Sequence, residues 1–118
     1  AEAYLETGDF ENAVAYINKI RTRARTTVAA DGSTPPAGTL PDRPASTDKV
    51  TVKNWLIAER RAELGFEDQR MPDLKRWGIA KQVMTALGKS FQDKHYLYPI
   101  PQSEIDASAG TLKQNPGY

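Results

Sequence analysis

The feature that most constrains the fold of this chain is a charged run from Glu59 to Gly78, in which half of the residues are charged. On a helical wheel, one stripe of this run carries two arginines and two glutamates: Arg60, Glu63, Glu67 and Arg70. Apolar residues flank the stripe on both sides, with Phe66 on one side and Leu64 on the other. Because a buried charge is costly unless it finds a partner, the pattern predicts a largely buried, structural ion network.

A second distinctive stretch closes the chain. It contains three short motifs: Tyr98-Pro99-Ile100-Pro101, Ser103-Glu104-Ile105 and Gln114-Asn115-Pro116-Gly117-Tyr118. In this order and spacing, the charged run and the closing motifs resemble the C-terminal signature of the SusD/RagB family, the glycan-capturing lipoproteins of the outer membrane of Bacteroidota. The resemblance is strong over residues 50–118 and moderate over the first 25 residues. The one departure in the charged run is Asp68, where the family usually has glycine.

The resemblance implies a mostly α-helical fold that is part of a larger SusD-like protein. It also implies binding of an oligosaccharide or polysaccharide at the cell surface, for uptake through a SusC-like TonB-dependent outer-membrane transporter. The expected localisation is the outer membrane, with a lipid anchor on an N-terminal part outside these residues. The family's glycan-facing aromatics come mainly from loops outside this region, so no carbohydrate-binding residue can be assigned here.

Composition and periodicity divide the chain into three regions. Residues 1–25 predict a helix pair with a turn at Gly8-Asp9, where Asp9 is the expected N-cap of the second helix. The second helix is predicted to have one apolar face, formed by Phe10, Ala13, Val14, Ile17, Ile20 and Ala24. The pair resembles the end of a tetratricopeptide repeat, although any helical hairpin would give the same pattern. Residues 26–50 are rich in Pro, Ser and Thr and predict a loop, either ordered on the surface or disordered. Residues 51–118 form the signature region. The first helix has no start signal, and a repeat helix pair needs a neighbour to cover its apolar face, so Tyr4 and Leu5 are expected to be exposed.

Within the signature region, a helix is expected from about Thr51 to about Gln69. Pro72 suits the first turn of a short helix that Gly78 ends, and a further helical segment stops at Gly88. The chain should be extended from Tyr96, because residues before proline avoid helical angles. The tail, residues 96–118, is expected to pack in extended form against the signature helix. No strand pair is predicted.

Catalysis finds little support in the residues. Glu63 and Glu67 could pair as catalytic carboxylates, but nearby arginines would keep both ionised. His95 is the one histidine, and without a second nitrogen or sulfur ligand it predicts no zinc site. The net charge of +1 gives no electrostatic case for nucleic acid. The sequence therefore predicts no metal, no cofactor and no enzymatic activity.

Binding through aromatic side chains remains open, because aromatic faces can stack on sugar rings. The residues whose side-chain type allows such stacking are Trp55, Trp77, Tyr96, Tyr98 and Tyr118. The two tryptophans lie on apolar helix faces, which favours core packing, whereas packing or recognition could equally explain Tyr96 and Tyr98. An alternative function is a tetratricopeptide scaffold that binds a protein or peptide partner, which would account for residues 1–25 but not for the signature region.

Overall fold

The computed structural model describes residues 1–118 and contains helices and loops, with no strand. It divides into an N-terminal unit, Ala1–Gly65, and a C-terminal unit, Phe66–Tyr118. The N-terminal unit contains α1 (Glu2–Glu6), α2 (Phe10–Thr26) and α3 (Lys49–Glu63). The C-terminal unit contains α4 (Arg70–Arg76), α5 (Ala80–Ala86), a 3-10 turn (Asp93–Tyr96) and α6 (Gln102–Ala107). The predicted mostly α fold is confirmed.

The core of the N-terminal unit lies where its three helices meet. The side chain of Asp9 caps α2 as predicted, since it accepts a hydrogen bond from the Asn12 amide at 3.1 Å. Side chains from all three helices are buried together: Leu5, Ala13, Val14, Ile17, Val52 and Leu56. The α2 members of this set recur at helical spacing, so the apolar face predicted for α2 is the face that the core uses.

The prediction that Tyr4 and Leu5 are both exposed is half wrong. Tyr4 is 37% exposed, but Leu5 is only 1% exposed. The helix α1 packs against both α2 and α3, and Leu5 points into the core between them. The helix α3, which lies more than forty residues further along the chain, provides part of the surface that buries Leu5.

The polar face of α2 holds the second half of the loop between α2 and α3. The Asn18 side-chain amide exchanges two hydrogen bonds with the backbone of Arg43, at 3.0 and 2.8 Å. Arg21 Nε donates to the Pro41 carbonyl at 2.8 Å, and one guanidinium nitrogen of Arg25 donates to the Leu40 carbonyl at 3.2 Å. These three side chains stand at helical spacing on α2. Residues 40–43 are therefore an ordered surface segment.

A buried ion pair connects α2 to α3. A guanidinium nitrogen of Arg21 lies 2.9 Å from a carboxylate oxygen of Glu59, and the two side chains are only 7% and 12% exposed. Arg21 thus binds the loop with one nitrogen and α3 with another, so that its charge is paired inside the unit.

The predicted helix from Thr51 to Gln69 is wrong at its C-terminal end, because α3 stops at Glu63. The last helical bond joins the Leu64 amide to the Arg60 carbonyl at 3.0 Å. Beyond Gly65 the backbone turns left-handed twice, with φ of 65° at Phe66 and 57° at Asp68. A right-handed helix cannot continue through such angles. The resemblance places a glycine at the position of Asp68, and glycine adopts this backbone conformation without steric cost.

In the C-terminal unit, glycines end the short helices as predicted. Pro72 lies in the first turn of α4, and Gly78 and Gly88 follow α4 and α5 with φ of 70° each. Leu74 and Ala80 are buried. The extended segment begins at Leu97, one residue later than predicted, because Tyr96 still belongs to the 3-10 turn. None of the helices is both long enough and apolar enough to cross a membrane.

Removal of the Arg21 side chain tests the buried pair. We expect Arg21→Ala to lower the free energy of unfolding by about 3 to 5 kcal/mol, since Glu59 would keep a buried charge without its partner. Chemical denaturation monitored by circular dichroism measures this loss. The control is Lys49→Ala, which breaks the exposed pair with Glu6 and should change stability far less. Equal losses in the two variants would contradict the prediction.

Substitutions at Asp68 test the left-handed turn. Asp68→Gly should leave the thermal midpoint unchanged or raise it, because glycine adopts a positive φ without steric cost. Asp68→Val should lower stability by about 1 to 2 kcal/mol, since a β-branched residue is strained at this backbone angle. A valine variant as stable as the glycine variant would show that the turn relaxes to another conformation.

Candidate functional site

Hydrogen bonds from side chains near the end of the chain to the backbone around Ile100 hold the closing motifs together. Pro99 and Pro101 have no amide hydrogen, so Ile100 is the one residue of that triplet with both a donor and an acceptor on its backbone. The Gln114 side chain serves both, with its oxygen 2.8 Å from the Ile100 amide and its nitrogen 2.9 Å from the Ile100 carbonyl. The Gln114 side-chain amide thus makes the two hydrogen bonds to Ile100 that the backbone of a neighbouring strand would otherwise make.

The residues after Gln114 extend this contact, which we call the terminal lock (residues 94–100 with 114–118). Asn115 donates from its side-chain amide to the Tyr98 carbonyl at 2.7 Å. The Tyr118 hydroxyl lies 3.2 Å from the Lys94 carbonyl and 3.1 Å from that of Leu97. Gly117 has a φ of 90°, and a Cβ placed there would lie only 2.9 Å from the Cβ of Lys94. Glycine is therefore required at this position both by conformation and by space.

Two tyrosine rings on the terminal lock have a lysine ammonium group against them. Lys75 Nζ lies 4.4 Å from the centroid of the Tyr98 ring and donates to the Tyr96 carbonyl at 3.0 Å. Lys94 Nζ lies 5.0 Å from the centroid of Tyr118 and donates to the Gly117 carbonyl at 3.2 Å. Tyr98 is nevertheless 76% exposed. The sequence left packing and recognition open for this residue, and within this chain its ring lies outside the buried core.

The N-terminal unit contains a cleft of about 370 Å³ beside α2 and α3. Its lining includes three apolar side chains, Ile17, Ile20 and Leu56, and the carboxylates of Glu59 and Glu63. Both carboxylates are already paired, Glu59 with Arg21 and Glu63 with Arg23. Glu2 and Arg60 also line the cleft, and each has an interaction partner. The cleft therefore combines apolar surface with charged groups that are already engaged, which suits an apolar side chain better than it suits acid-base chemistry.

The four residues of the predicted ion network do not share one helix. Arg60 and Glu63 lie on α3, Glu67 lies in the turn that follows it, and Arg70 begins α4. Glu67 is exposed, so the prediction that it is buried is wrong; the physical reason is the left-handed turn that follows α3. Arg60 and Arg70 are half-buried, and each has an interaction partner. A network that joins all four residues stays a prediction.

The remaining candidate side chains have structural roles. Trp55 packs against the core of the N-terminal unit, with the Arg43 guanidinium 5.6 Å from its ring. Trp77 has the Arg76 guanidinium over its ring, at 4.6 Å. His95 Nδ1 accepts a hydrogen bond from the Gln92 amide at 3.0 Å. No cluster of three potential metal ligands is present in the chain.

The carboxylates with shifted pKa values include helix caps and an ion-pair partner. A hydrogen bond from the Thr51 hydroxyl holds the pKa of Asp48 below its usual range, and Asp48 caps the start of α3. The ammonium group of Lys49 lowers the pKa of Glu6 through a hydrogen bond and through its charge. A catalytic acid needs the opposite shift, a raised pKa.

The most informative residues that the sequence did not single out for a role of their own are Arg21 and Gln114. Each binds a backbone or side chain distant in sequence. The matched spacing of Asn18, Arg21 and Arg25 on the polar side of α2 was the one available signal.

Loss of Gln114 tests the terminal lock. We expect Gln114→Ala to destabilise the C-terminal unit by about 1 to 3 kcal/mol, because the Ile100 amide and carbonyl lose their partner. Hydrogen exchange at residues 96–118 should accelerate accordingly. The matched control is Gln102→Ala, which removes an exposed glutamine that bonds to Asp106 within α6. Unchanged exchange in the Gln114 variant would show that the lock does not hold the tail.

Comparison with known proteins places this architecture in a family. The model of the SusD family (SusD/RagB) matches residues 1–94 and 83–118. A SusD-like protein from Formosa agariphila is 33% identical over 115 residues, which cover 90% of this chain and 21% of that protein. A second SusD-like protein from the same organism is 32% identical over 100 residues, which cover 85% of this chain and 18% of that protein.

A solved structure agrees with the sequence relatives. The crystal structure of a SusD superfamily protein from Bacteroides vulgatus matches with a TM-score of 0.77 and 28% identity, over 99% of this chain and 24% of that one. The chain thus spans about a fifth of the length of the curated relatives that it matches. With a family model that matches along the chain, and relatives and a fold that agree with it, the chain belongs to the SusD family.

Proposed function

We propose that this chain is part of a glycan-binding protein of the outer-membrane surface, which captures oligosaccharides for uptake and delivers them to a SusC-like TonB-dependent transporter. Membership of the SusD family is the observation that carries the proposal. In the full protein a lipid anchor would hold these helices at the cell surface. The activity is binding without catalysis.

Two structural features support a scaffolding contribution from these residues. Arg21 fixes both the loop and, through Glu59, α3 to α2, and Gln114 fixes the tail to the extended segment at Ile100. A surface that must present a binding site needs such preorganised support, because ordering it at the moment of binding would cost affinity.

The alternative is a tetratricopeptide scaffold that binds a protein or peptide. One observation favours it, the cleft beside α2 and α3 with its apolar floor. A peptide helix could place an apolar side chain there, since amphipathic helices bind in grooves of this kind. The assignment of residues 1–25 to the end of such a repeat stays a prediction.

Binding measurements distinguish the two functions. The chain, and a longer family protein that contains it, would be tested against an immobilised oligosaccharide panel and against a peptide panel under the same conditions. We expect retention by a subset of the oligosaccharides and none by the peptides. The control is Ile20→Asp, which places a charge in the lining of the cleft and should abolish peptide binding only.

Retention by peptides, lost in the Ile20 variant, would establish the scaffold function instead. Retention of the longer protein by no oligosaccharide on the panel would contradict the proposed glycan function.

A further inference from the structure

We propose that His95 makes the terminal lock sensitive to mild acid. Its neutral imidazole closes the 3-10 turn on which one side of the lock is built, and protonation of the imidazole removes that closing hydrogen bond. The inference goes beyond the proposed glycan function and does not rest on it, since it concerns how the end of the chain is held. All of the contacts involved lie within the C-terminal unit.

The first observation is a reciprocal pair of hydrogen bonds across the turn. The Gln92 amide donates to His95 Nδ1 at 3.0 Å, and the His95 amide donates to the Gln92 carbonyl at 2.9 Å. In a capping box, a glutamate or glutamine side chain usually supplies the acceptor at this position. Histidine can supply it only while Nδ1 carries no hydrogen, because a protonated imidazole has a donor on both nitrogens and no acceptor.

The second observation concerns the packing of the imidazole. His95 is half-buried, and its ring makes a T-shaped contact with Phe91, with the two centroids 5.4 Å apart. Phe91 makes a second T-shaped contact with Tyr96, at 5.3 Å. A ring packed in this way is restricted in rotation. Protonation therefore sets the Nδ1 hydrogen against the Gln92 amide hydrogen, and the turn must open to separate them.

The third observation connects the turn to the terminal lock. Lys94, the residue before His95, is bound twice by the tail: its carbonyl lies 3.2 Å from the Tyr118 hydroxyl, and its ammonium group donates to the Gly117 carbonyl at 3.2 Å. The Leu97 amide donates to the same Lys94 carbonyl at 3.1 Å, and the Leu97 carbonyl lies 3.1 Å from the Tyr118 hydroxyl. The tail is thus held by atoms whose positions the turn sets, so opening the turn weakens the lock.

The charge change belongs to His95 and not to its neighbours. The other titratable side chains in or in contact with the turn are Lys75, Lys81, Asp93, Lys94, Tyr96 and Tyr118. Lys81 and Asp93 pair with each other at 3.0 Å, and Lys75 and Lys94 each donate to a backbone carbonyl. Among these side-chain types, histidine is the one that ordinarily changes its charge between about pH 5 and pH 8. Acidification across this range therefore acts on the turn through the imidazole.

The test is hydrogen–deuterium exchange with mass spectrometry, on a longer family protein that contains this chain, at about pH 7.5 and about pH 5. After correction for the intrinsic exchange rate at each pH, we expect the protection of residues 92–97 and 117–118 to fall about two- to tenfold in acid, the change expected for loss of one hydrogen bond. The amides of α2, which lies in the other unit, should keep their protection.

Two variants separate the titration of His95 from its structural role. His95→Gln keeps an acceptor at the capping position but cannot change its charge, so it should match the wild type near pH 7.5 and show no additional loss near pH 5. His95→Leu has no acceptor and should exchange rapidly in residues 92–97 at both pH values. Carboxylates that gain protons in acid do so in all three proteins, so the difference between the wild type and the glutamine variant reports on the imidazole alone.

Three results would overturn the inference. Equal losses of protection in the wild type and in His95→Gln near pH 5 would show that another group causes the change. Equal protection of residues 92–97 in the wild type at both pH values would show that the turn does not respond to the charge. A leucine variant as protected as the wild type near pH 7.5 would show that the hydrogen bond from Gln92 does not hold the turn.

Discussion

The buried pair between Arg21 and Glu59 is the interaction on which the N-terminal unit depends. The core holds the three helices together, but apolar contacts are not directional and leave the long connection between α2 and α3 undetermined. Arg21 fixes both the connection and α3, because one guanidinium nitrogen binds Glu59 and another binds the Pro41 carbonyl. A planar, permanently charged group with several donors can do this, whereas a lysine could not meet both partners in a fixed geometry. The hydrogen bonds from Asn18 and Arg25 then hold the adjoining backbone.

The C-terminal unit is stabilised in a different way. It has few buried side chains, and its helices are short, so the hydrophobic contribution to its stability is limited. The terminal lock compensates with directional bonds made by side-chain amides. Four residues of the closing Gln-Asn-Pro-Gly-Tyr motif each have an identifiable structural role. Gln114 and Asn115 bind backbone, Gly117 allows the close approach to Lys94, and Tyr118 bonds two carbonyls.

The structural roles of these residues limit which side chains of this chain are free to contact a ligand. Many residues of the signature run and of the closing motifs are engaged in helix ends, ion pairs and backbone bonds, and groups so engaged are less available to a ligand. Tyr98 differs, because its backbone is part of the lock and its ring is largely open. Its carbonyl accepts a hydrogen bond from Asn115, while its ring lies outside the buried core of this chain.

Local sequence was sufficient to predict the helical class, the cap at Asp9, the apolar face of α2 and the glycine stops at Gly78 and Gly88, and it carried the family signature. These features follow from local rules, because helical periodicity and glycine conformation depend on residues a few positions apart. The early end of α3 required the folded chain, since it depends on two left-handed residues, Phe66 and Asp68, whose side chains do not demand that conformation in isolation. Contacts between distant residues bury Leu5 and give Arg21 and Gln114 their partners. The sequence could name Tyr98 only as an aromatic residue that either packs or binds. Because exposure depends on every group that packs around a side chain, only the folded chain distinguishes the exposed Tyr98 from Trp55, which packs against the core.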